Sequence, residues 1–180
     1  MISRLKQFEK KKLTQRRFDK TYQFVSKTLP SPAKIFDMGT PNDLSDFLID
    51  KGYIVTNTSG EDLDLNPEAL SSEGFDAVTS FEILEHCVNP MSALKVIKAP
   101  RLYASVPLTL WFSKAYRSKT DPWDRHFHEF EDWQFEWLLE KSGWKIVRSE
   151  KWTNPSYIPG IRPIFRLITP RYFIVEAVRK

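Results

Sequence analysis

The sequence has few of the residues that cross-link a chain or hold it in a membrane. It contains one cysteine in 180 residues, which excludes a disulfide framework and any cysteine-rich zinc module. No apolar run approaches the roughly 20 residues that span a bilayer, and the first residues lack the apolar stretch of a signal peptide. Hydrophobic residues nevertheless make up 41% of the chain, enough for a packed core. We therefore expect a soluble, cytoplasmic protein.

Acidic residues are scarce at both ends of the chain. Residues 1–20 and residues 145–180 each hold eight basic and two acidic side chains, although the whole chain carries only +4. The part between them is therefore acidic, which argues against a nucleic-acid-binding face built from the core. The basic ends, with aromatic and aliphatic residues interleaved over 152–171, are typical of peripheral contact with a membrane surface or an acidic partner.

Short apolar runs alternate with helical patterns from residue 34 to residue 106. The alternation predicts βαβ units, and hence a mostly parallel sheet covered by helices on both faces. Ligands of such sheets bind beyond the carboxyl ends of the strands. The periodicity predicts helices over 3–28, 91–98 and 131–142 and strands over 35–38, 53–56, 63–65, 75–80, 102–106, 144–147 and 172–178.

Residues 34–39, 74–90 and 128–144 occur in an order and spacing that resemble the class I S-adenosylmethionine-dependent methyltransferases, and the small quinone-biosynthesis O-methyltransferase branch in particular. Residues 34–39, Lys-Ile-Phe-Asp-Met-Gly, are similar to that family's first strand and the start of its glycine loop. Residues 74–86, followed by Asn89-Pro90, are similar to its fourth strand and the turn beyond. Residues 128–144 are similar to its late helix and sixth strand.

The resemblance implies an α/β fold: a Rossmann-like, seven-stranded, mostly parallel sheet with helices on both faces. Its last strand is antiparallel, and an extra N-terminal helix is added to the core. We expect one domain over residues 1–180, with a basic N-terminal helix over 1–30 and a proline-rich insertion over 152–170 before the last strand.

The glycine loop departs from the family pattern because it carries one glycine instead of three. The local sequence predicts that a helix starts here, with Thr40 as N-cap, Pro41 in the first turn and Asp43 completing a capping box. The charge of Asp43 opposes a phosphate at this helix N-terminus, so nicotinamide and nucleotide cofactors are disfavoured. S-adenosylmethionine, which has no phosphate, remains the expected cofactor.

The resemblance also assigns the cofactor contacts. The family often has a carboxylate after strand two that holds the ribose, but this chain has Asn57-Thr58-Ser59-Gly60 there. Asp64 matches the family's acidic residue that receives the adenine amino group. The residues expected to contact the cofactor are Asp37, Gly39, Thr40, Asp64, Phe81 and Glu82.

His126 and His128 are the candidate bases. Alternation in an extended segment would place both on one side, and histidine titrates in the range useful for deprotonating a hydroxyl acceptor. The alternative is a pair of structural histidines. Glu82, Glu85 and His86 form a Glu-x-x-Glu-His pattern, which binds magnesium in some methyltransferases together with a later histidine. His126 or His128 could supply that later histidine. We expect no metal, because the cofactor would compete for Glu82.

The acceptor is expected to be small and apolar or aromatic, since aromatic residues follow strand five. These residues are Trp111, Phe112, Tyr116 and Trp123. Cys87 is read as a small buried hydrophobe rather than a nucleophile. The function predicted from the sequence is therefore S-adenosylmethionine-dependent methyl transfer to such an acceptor. The alternative is a cofactor-free, methyltransferase-like binding module, associated with a membrane surface or an acidic partner.

Overall fold

The structure is a computed structural model that describes residues 2–121, 124–156 and 160–180, with side chains described from residue 7 onward. Trp123, which the sequence analysis singled out, lies outside the described residues, as do residues 157–159 of the segment over 152–171. Five α-helices and six β-strands form the described part of the fold. The helices are α1 (Ile2–Ser26), α2 (Asp43–Asp50), α3 (Pro90–Val96), α4 (Asp132–Lys141) and α5 (Ile161–Ile168). The strands are β1 (Lys34–Asp37), β2 (Ile54–Asn57), β3 (Ala77–Phe81), β4 (Arg101–Pro107), β5 (Trp144–Thr153) and β6 (Pro170–Arg179).

The strands form one sheet in the order β2-β1-β3-β4-β6-β5. Strands β1 to β4 pair in parallel, and the last strand, β6, pairs antiparallel with both β4 and β5. The carboxyl ends of β1, β3 and β4 therefore lie side by side at one edge of the sheet. This is the edge where a ligand of an open α/β sheet is expected.

The sheet is covered on both faces because adjacent residues of each buried strand point to opposite sides. Ile35, Tyr103 and Ile174 pack against Phe24 and Leu48, which come from α1 and α2. Their sequence neighbours Phe36, Leu102 and Phe173 pack in the core on the other face with residues of α3 and α4. The near-continuous apolar runs of the sequence are thus explained by burial on both faces.

The predicted strand over 63–65 is wrong, so the described residues form six strands rather than seven. These three residues form a turn, and Leu65 is 84% exposed. The Asp62 carboxylate accepts a hydrogen bond from the Asp64 backbone N–H, and the Asp62 carbonyl accepts from Leu65 and Asn66. A short run with a local aspartate acceptor, followed by Pro67, favours a turn over strand pairing.

Helix α2 begins two residues later than the sequence predicts. Asn42, not Thr40, is the N-cap, and its side chain accepts from the backbone N–H groups of Leu44 and Ser45. The Ser45 hydroxyl in turn accepts from the Asn42 backbone N–H, which completes the capping box. The asparagine and serine satisfy the donors that Thr40 and Asp43 were expected to satisfy.

A buried carboxylate joins α1 to the far half of the sheet. Glu176 on β6 is 2% exposed and forms ion pairs with Arg101 on β4 and Arg148 on β5. Its Oε2 atom also accepts from the Thr28 hydroxyl, just beyond the end of α1.

Among the described residues, no helix combines the length and apolar composition needed to cross a bilayer.

Candidate active site

A cleft of about 900 Å³ lies at the carboxyl ends of β1, β3 and β4. We call it the main cleft. Its floor includes Gly39 after β1, Glu82 after β3 and Ser105 near the end of β4. Helix α1 supplies one wall through Lys10, Thr14, Arg17, Phe18 and Thr21. Of the residues predicted to contact a cofactor or act as a base, the cleft is lined by Gly39, Thr40, Phe81, Glu82 and His126.

The loop after β1 follows a backbone path that favours glycine. Gly39 has a φ of +141°, and a Cβ built on it would lie 3.4 Å from Cδ1 of Ile83. The segment after β2 holds this loop in place: the Thr58 hydroxyl accepts from the Gly39 N–H at 2.9 Å, and the Asn57 amide donates to the Gly39 carbonyl at 3.2 Å. The residues that replace the expected ribose carboxylate are therefore engaged in fastening β2 to the loop.

Asp37 is buried beneath this loop and does not line the main cleft. Its carboxyl group accepts from the Thr79 hydroxyl at 2.5 Å and from the Asn57 amide at 2.9 Å. Burial raises the pKa of Asp37 from 3.8 to about 6, against the lowering effect of these hydrogen bonds. Its observed contacts link β1 to β2 and β3, so it acts on the cleft through the loop.

Glu82 stands at the turn after β3 with a φ of +59°, an uncommon conformation for a side chain of its size. This conformation ends the strand abruptly, and a short 3-10 helix over Leu84–His86 follows the turn. The Ser105 hydroxyl donates to its carboxylate at 2.9 Å. Burial raises the pKa of Glu82, while the positive charges of Arg17 and Arg171 oppose the rise.

His126 forms a dyad with Glu129. Its Nδ1 lies 2.8 Å from Oε1 of Glu129, and because a carboxylate accepts, Nδ1 carries the proton and Nε2 has the free lone pair. Burial lowers the pKa of His126, and the nearby Glu129 carboxylate counteracts part of that effect. The lowered pKa favours the neutral imidazole, the state that a general base requires.

Glu85, His86 and His126 form a cluster in which one ligand atom of each lies within 4.8 Å of the others. Glu85 is 1% exposed, and its Oε2 has no hydrogen-bond partner among the described residues. Burial raises the pKa of Glu85 well above its usual value, and the Glu82 carboxylate raises it further. His86 donates from Nδ1 to the Arg125 carbonyl at 2.9 Å, which leaves its Nε2 3.8 Å from Glu85 Oε1.

Two predicted site residues lie outside the main cleft. The Asp64 carboxylate accepts from the backbone N–H groups of Val88 and Asn89 at 2.7 Å each, so it fixes a loop instead of facing a ligand. His128 lies in a separate groove beside α4, where its ring stacks on Phe130. Its Nε2 atom is 3.3 Å from the Val88 carbonyl oxygen. The expectation that His126 and His128 share one side is wrong, because the Phe127 and His128 backbone N–H groups both donate to the Glu85 carbonyl, which breaks the extended alternation.

Of the described aromatic residues that the sequence analysis named after β4, one lines the main cleft and two pack elsewhere. Tyr116 lines the main cleft and packs on His126, with the two rings 5.1 Å apart. Trp111 and Phe112 instead pack against Phe165 of α5.

Burial raises the pKa of the Cys87 thiol to about 12, which agrees with the interpretation of Cys87 as a small hydrophobe.

Sequence reasoning missed two residues of this site. Arg17 belongs to the basic N-terminal helix, which was interpreted as an added cap, yet it lines the cleft and acts on the pKa of Glu82. Glu129 follows His126 by three residues and orients it. The spacing of His126 and Glu129 is visible in the sequence, whereas the position of Arg17 over the cleft depends on how α1 packs.

Comparisons with known proteins establish a likeness of fold. Neither the protein-family models nor the curated proteins include a match to this sequence. The solved structure of a 1,6-didemethyltoxoflavin-N1-methyltransferase from Burkholderia thailandensis, with bound 1,6-didemethyltoxoflavin and S-adenosylhomocysteine, has a TM-score of 0.63 and 18% identity. The match covers 91% of this chain and 78% of that one.

Two further structures have the same architecture. Magnesium protoporphyrin IX methyltransferase from Synechocystis, also with bound S-adenosylhomocysteine, has a TM-score of 0.58 and 15% identity over 93% of this chain and 84% of that one. The cyclase SpnF has a TM-score of 0.55 and 14% identity over 89% of this chain and 81% of that one. The fold of this chain is thus the Rossmann-like fold of S-adenosylmethionine-dependent methyltransferases, a fold that also occurs in a cyclase.

Proposed function

We propose that this protein transfers a methyl group from S-adenosylmethionine to a small acceptor bound in the main cleft. The observation that carries the proposal is the meeting of the Gly39 loop, the Glu82 turn and His126 at the carboxyl ends of adjacent parallel strands. Two proteins of the same fold hold S-adenosylhomocysteine. The residues proposed to contact the cofactor are Gly39, Thr40, Phe81 and Glu82, with Asp37 supporting the loop from beneath.

The charges around the cleft suit the amino-acid end of the cofactor. That end carries a carboxylate and an ammonium group. Arg17 and Lys10 on α1 supply positive charge for the carboxylate, and Asp43 in the first turn of α2 supplies negative charge for the ammonium. An arginine beside a carboxylate forms charge-assisted, frequently bidentate hydrogen bonds. We therefore place the methionine end between α1 and the Gly39 loop.

His126 is proposed as the base that accepts the acceptor's proton. Methyl transfer to a hydroxyl requires that proton to leave, and Nε2 of a neutral His126 has the lone pair to receive it. Glu129 holds the tautomer and stabilises the imidazolium that forms, as the carboxylate does in a catalytic triad. Tyr116, Phe18, Phe81 and Tyr172 line the cleft, and their rings support an aromatic acceptor such as a phenol.

A divalent cation is the alternative means of activating the acceptor. Glu85, His86 and His126 fit such an ion because a buried carboxylate oxygen lacks a partner and both imidazoles donate from Nδ1 to outer acceptors, as metal ligands do. Two imidazoles and one carboxylate suit zinc or manganese better than magnesium, which prefers oxygen. When bound, the ion would lower the pKa of an acceptor hydroxyl.

A cofactor-free binding module remains the competing function. It is supported by Asn57 and Thr58, which bind the Gly39 loop where the family has a ribose carboxylate. The whole chain, residues 1–180, is proposed to act as one domain in either case, because α1 forms a wall of the cleft.

Calorimetric titration with S-adenosylhomocysteine tests the proposed function. We expect saturable binding to the wild type, and the His128→Gln variant should bind equally well because His128 lies outside the cleft. Absence of binding at millimolar ligand would overturn the methyltransferase proposal in favour of the binding module. A parallel titration with Mn²⁺ decides the cation question, since Glu85→Gln should abolish metal binding while Glu136→Gln, an exposed residue of α4, should not.

A further inference from the structure

A second cleft, of about 420 Å³, adjoins the main cleft. We call it the basic cleft. It is bounded by the segment after β4, by α5 and by the start of β6, and it shares Tyr116 and Arg171 with the main cleft. Its cationic lining residues are Lys114, Arg117, Arg162, Arg166 and Arg171, against Glu129 as the one acidic lining residue among those described.

The cations of the basic cleft are short of counter-charges. Arg171 lies 3.9 Å from a Glu129 oxygen, and its charge also acts on Glu82 and Glu85 in the main cleft. Within the described residues, the other four cations form no ion pair. Arg162 donates to the Phe112 carbonyl at 3.3 Å and Arg166 to the Asn154 carbonyl at 2.9 Å. Each guanidinium thus has one fixed hydrogen bond that orients it and further N–H groups to offer. Cations held together in this way repel one another, and an anion in the cleft would remove that cost.

The number and type of these cations favour a phosphate over a carboxylate. A single carboxylate offsets one positive charge, whereas a phosphate monoester or a diphosphate offsets about two or more. The planar guanidinium presents several donors in a fork that matches phosphate oxygens. The rest of the chain outside its two ends is acidic, which disfavours a long polyanion such as RNA.

We propose that the basic cleft binds a phosphate group carried by the methyl acceptor, while the group to be methylated enters the main cleft. The assignment rests on the proposed function for the identity of the acceptor, but binding of the anion does not depend on it. Arg171 and Tyr116, which line both clefts, mark the point where the two parts of the acceptor join.

The phosphate could belong to a lipid or to a water-soluble ester, and an exposed apolar face of helix α5 is the feature that bears on this choice. Ile161, Ile164 and Ile168 are spaced as one helix face, and they are 74%, 60% and 74% exposed. A lipid phosphate would place its acyl chains along this face, as with amphipathic helices at membrane interfaces. A water-soluble phosphate ester would use the basic cleft alone. The phosphate chemistry is common to both sources.

Titration with inorganic pyrophosphate tests the site directly. We expect saturable binding that weakens with salt, and about tenfold or greater loss in the double variant Arg162→Gln with Arg166→Gln, the loss that follows from removing a charge-assisted hydrogen bond. The matched control, Lys98→Gln with Lys145→Gln, removes the same charge from exposed positions outside the cleft and should bind as the wild type does. Arg166→Lys, which keeps the charge but loses the fork of donors, should bind pyrophosphate with an affinity between those of the wild type and the double variant.

Flotation with vesicles of phosphatidylcholine, with and without phosphatidylglycerol, distinguishes the sources. A lipid phosphate predicts binding to the anionic vesicles that is lost both in the arginine double variant and in Ile164→Ser with Ile168→Ser. A soluble ester predicts no flotation and unchanged pyrophosphate binding in the isoleucine variant. The proposal is overturned if neither probe binds, or if the arginine double variant binds pyrophosphate as tightly as the wild type.

The same preparations separate this proposal from the proposed function. S-adenosylhomocysteine should bind the arginine double variant as it binds the wild type. One outcome is that S-adenosylhomocysteine binds neither the wild type nor any variant, while pyrophosphate still binds the wild type more tightly than the arginine double variant. In that case the anion site stands and the methyltransferase proposal falls.

Discussion

The Nδ1 atom of His126 lies 2.8 Å from Oε1 of Glu129, and this contact assigns the proton to Nδ1 of an imidazole at the wall of the main cleft. Glu129 is itself held by the backbone N–H of Tyr116 at 2.9 Å and faces Arg171 at 3.9 Å. The dyad is therefore oriented from several sides before any acceptor binds. A base that is held in this way has its lone pair directed without further ordering of the side chain.

The Glu129→Gln variant should lower the pKa of His126 further below its usual value. Burial already lowers that pKa, and the Glu129 carboxylate is the group that opposes the shift. The chain has only three histidines, so an NMR titration of the imidazole signals can follow each one. In a methyl-transfer assay, the wild-type rate should rise through a pKa below the usual histidine value and stay flat at neutral pH. Glu136→Gln should leave the His126 titration unchanged, and a rise of the pKa in Glu129→Gln would contradict the dyad.

The Arg17→Gln variant should bind S-adenosylhomocysteine about 10- to 100-fold more weakly, the loss expected for one hydrogen bond to a charged group. Arg17 lies on the cleft wall formed by α1, beside the place proposed for the ligand's carboxylate. Lys11→Gln is the matched control, because it removes the same charge from an exposed position on the same helix. Equal affinity in both variants, measured by calorimetry, would remove α1 from the cofactor site.

The Asp37→Asn variant should alter how stability depends on pH. Because burial raises the Asp37 pKa from 3.8 to about 6, the folded state binds more protons than the unfolded state between these values. The wild-type free energy of unfolding should therefore fall as pH rises, by about 3 kcal/mol from this group between about pH 3 and pH 7 and by about 2 kcal/mol between about pH 4 and pH 6. The asparagine variant lacks that fall, so its stability relative to the wild type should improve with rising pH in urea titrations. Asp50→Asn, at an exposed site, should retain the wild-type dependence.

The Glu176→Gln variant should lose about 3 kcal/mol of unfolding free energy, because it leaves Arg101 and Arg148 without their buried counter-charge. Glu150→Gln is the matched control. Glu150 pairs with Lys27 at 3.5 Å on the surface, where both side chains are well exposed, so its loss should cost less than about 1 kcal/mol. Denaturant titrations that give the two variants equal stability would show that the Glu176 cluster contributes no more than a surface pair.

The regular elements could be predicted wherever the apolar pattern was strong. The runs at 35–38, 75–80, 102–106 and 172–178 lie within or overlap β1, β3, β4 and β6, and the helical pattern over 131–142 matches α4 to within a residue at each end. The pattern failed at 63–65, because a three-residue run cannot offset the aspartate-stabilised turn. It failed at the start of α2 because Thr40 and Asn42 are both good caps, and only their backbone conformations select between them.

The positions of the candidate residues could be predicted where they depend on strand order, and the predicted positions were wrong where they depend on side-chain direction. Gly39, Phe81 and Glu82 line the cleft because they lie at or just after the carboxyl ends of β1 and β3. His126 lines it from the segment between β4 and α4. Asp64 and His128 were expected in the cleft from their places in the chain, yet contacts with the backbone of Val88 turn both away from it. The sequence pattern carries no information on those partners, which come from residues 24 and 40 positions away.

The sequence by itself determined the parallel sheet and the edge at which a ligand is expected, since both follow from burial on two faces and from the order of strands and helices. Only the tertiary structure decided which polar side chains share the site. It brought Arg17 from the first helix over the cleft, paired His126 with Glu129 and gathered five cations around the basic cleft. The physical reason is that periodicity reports burial, whereas a site is made by charges and lone pairs whose neighbours are distant in the chain.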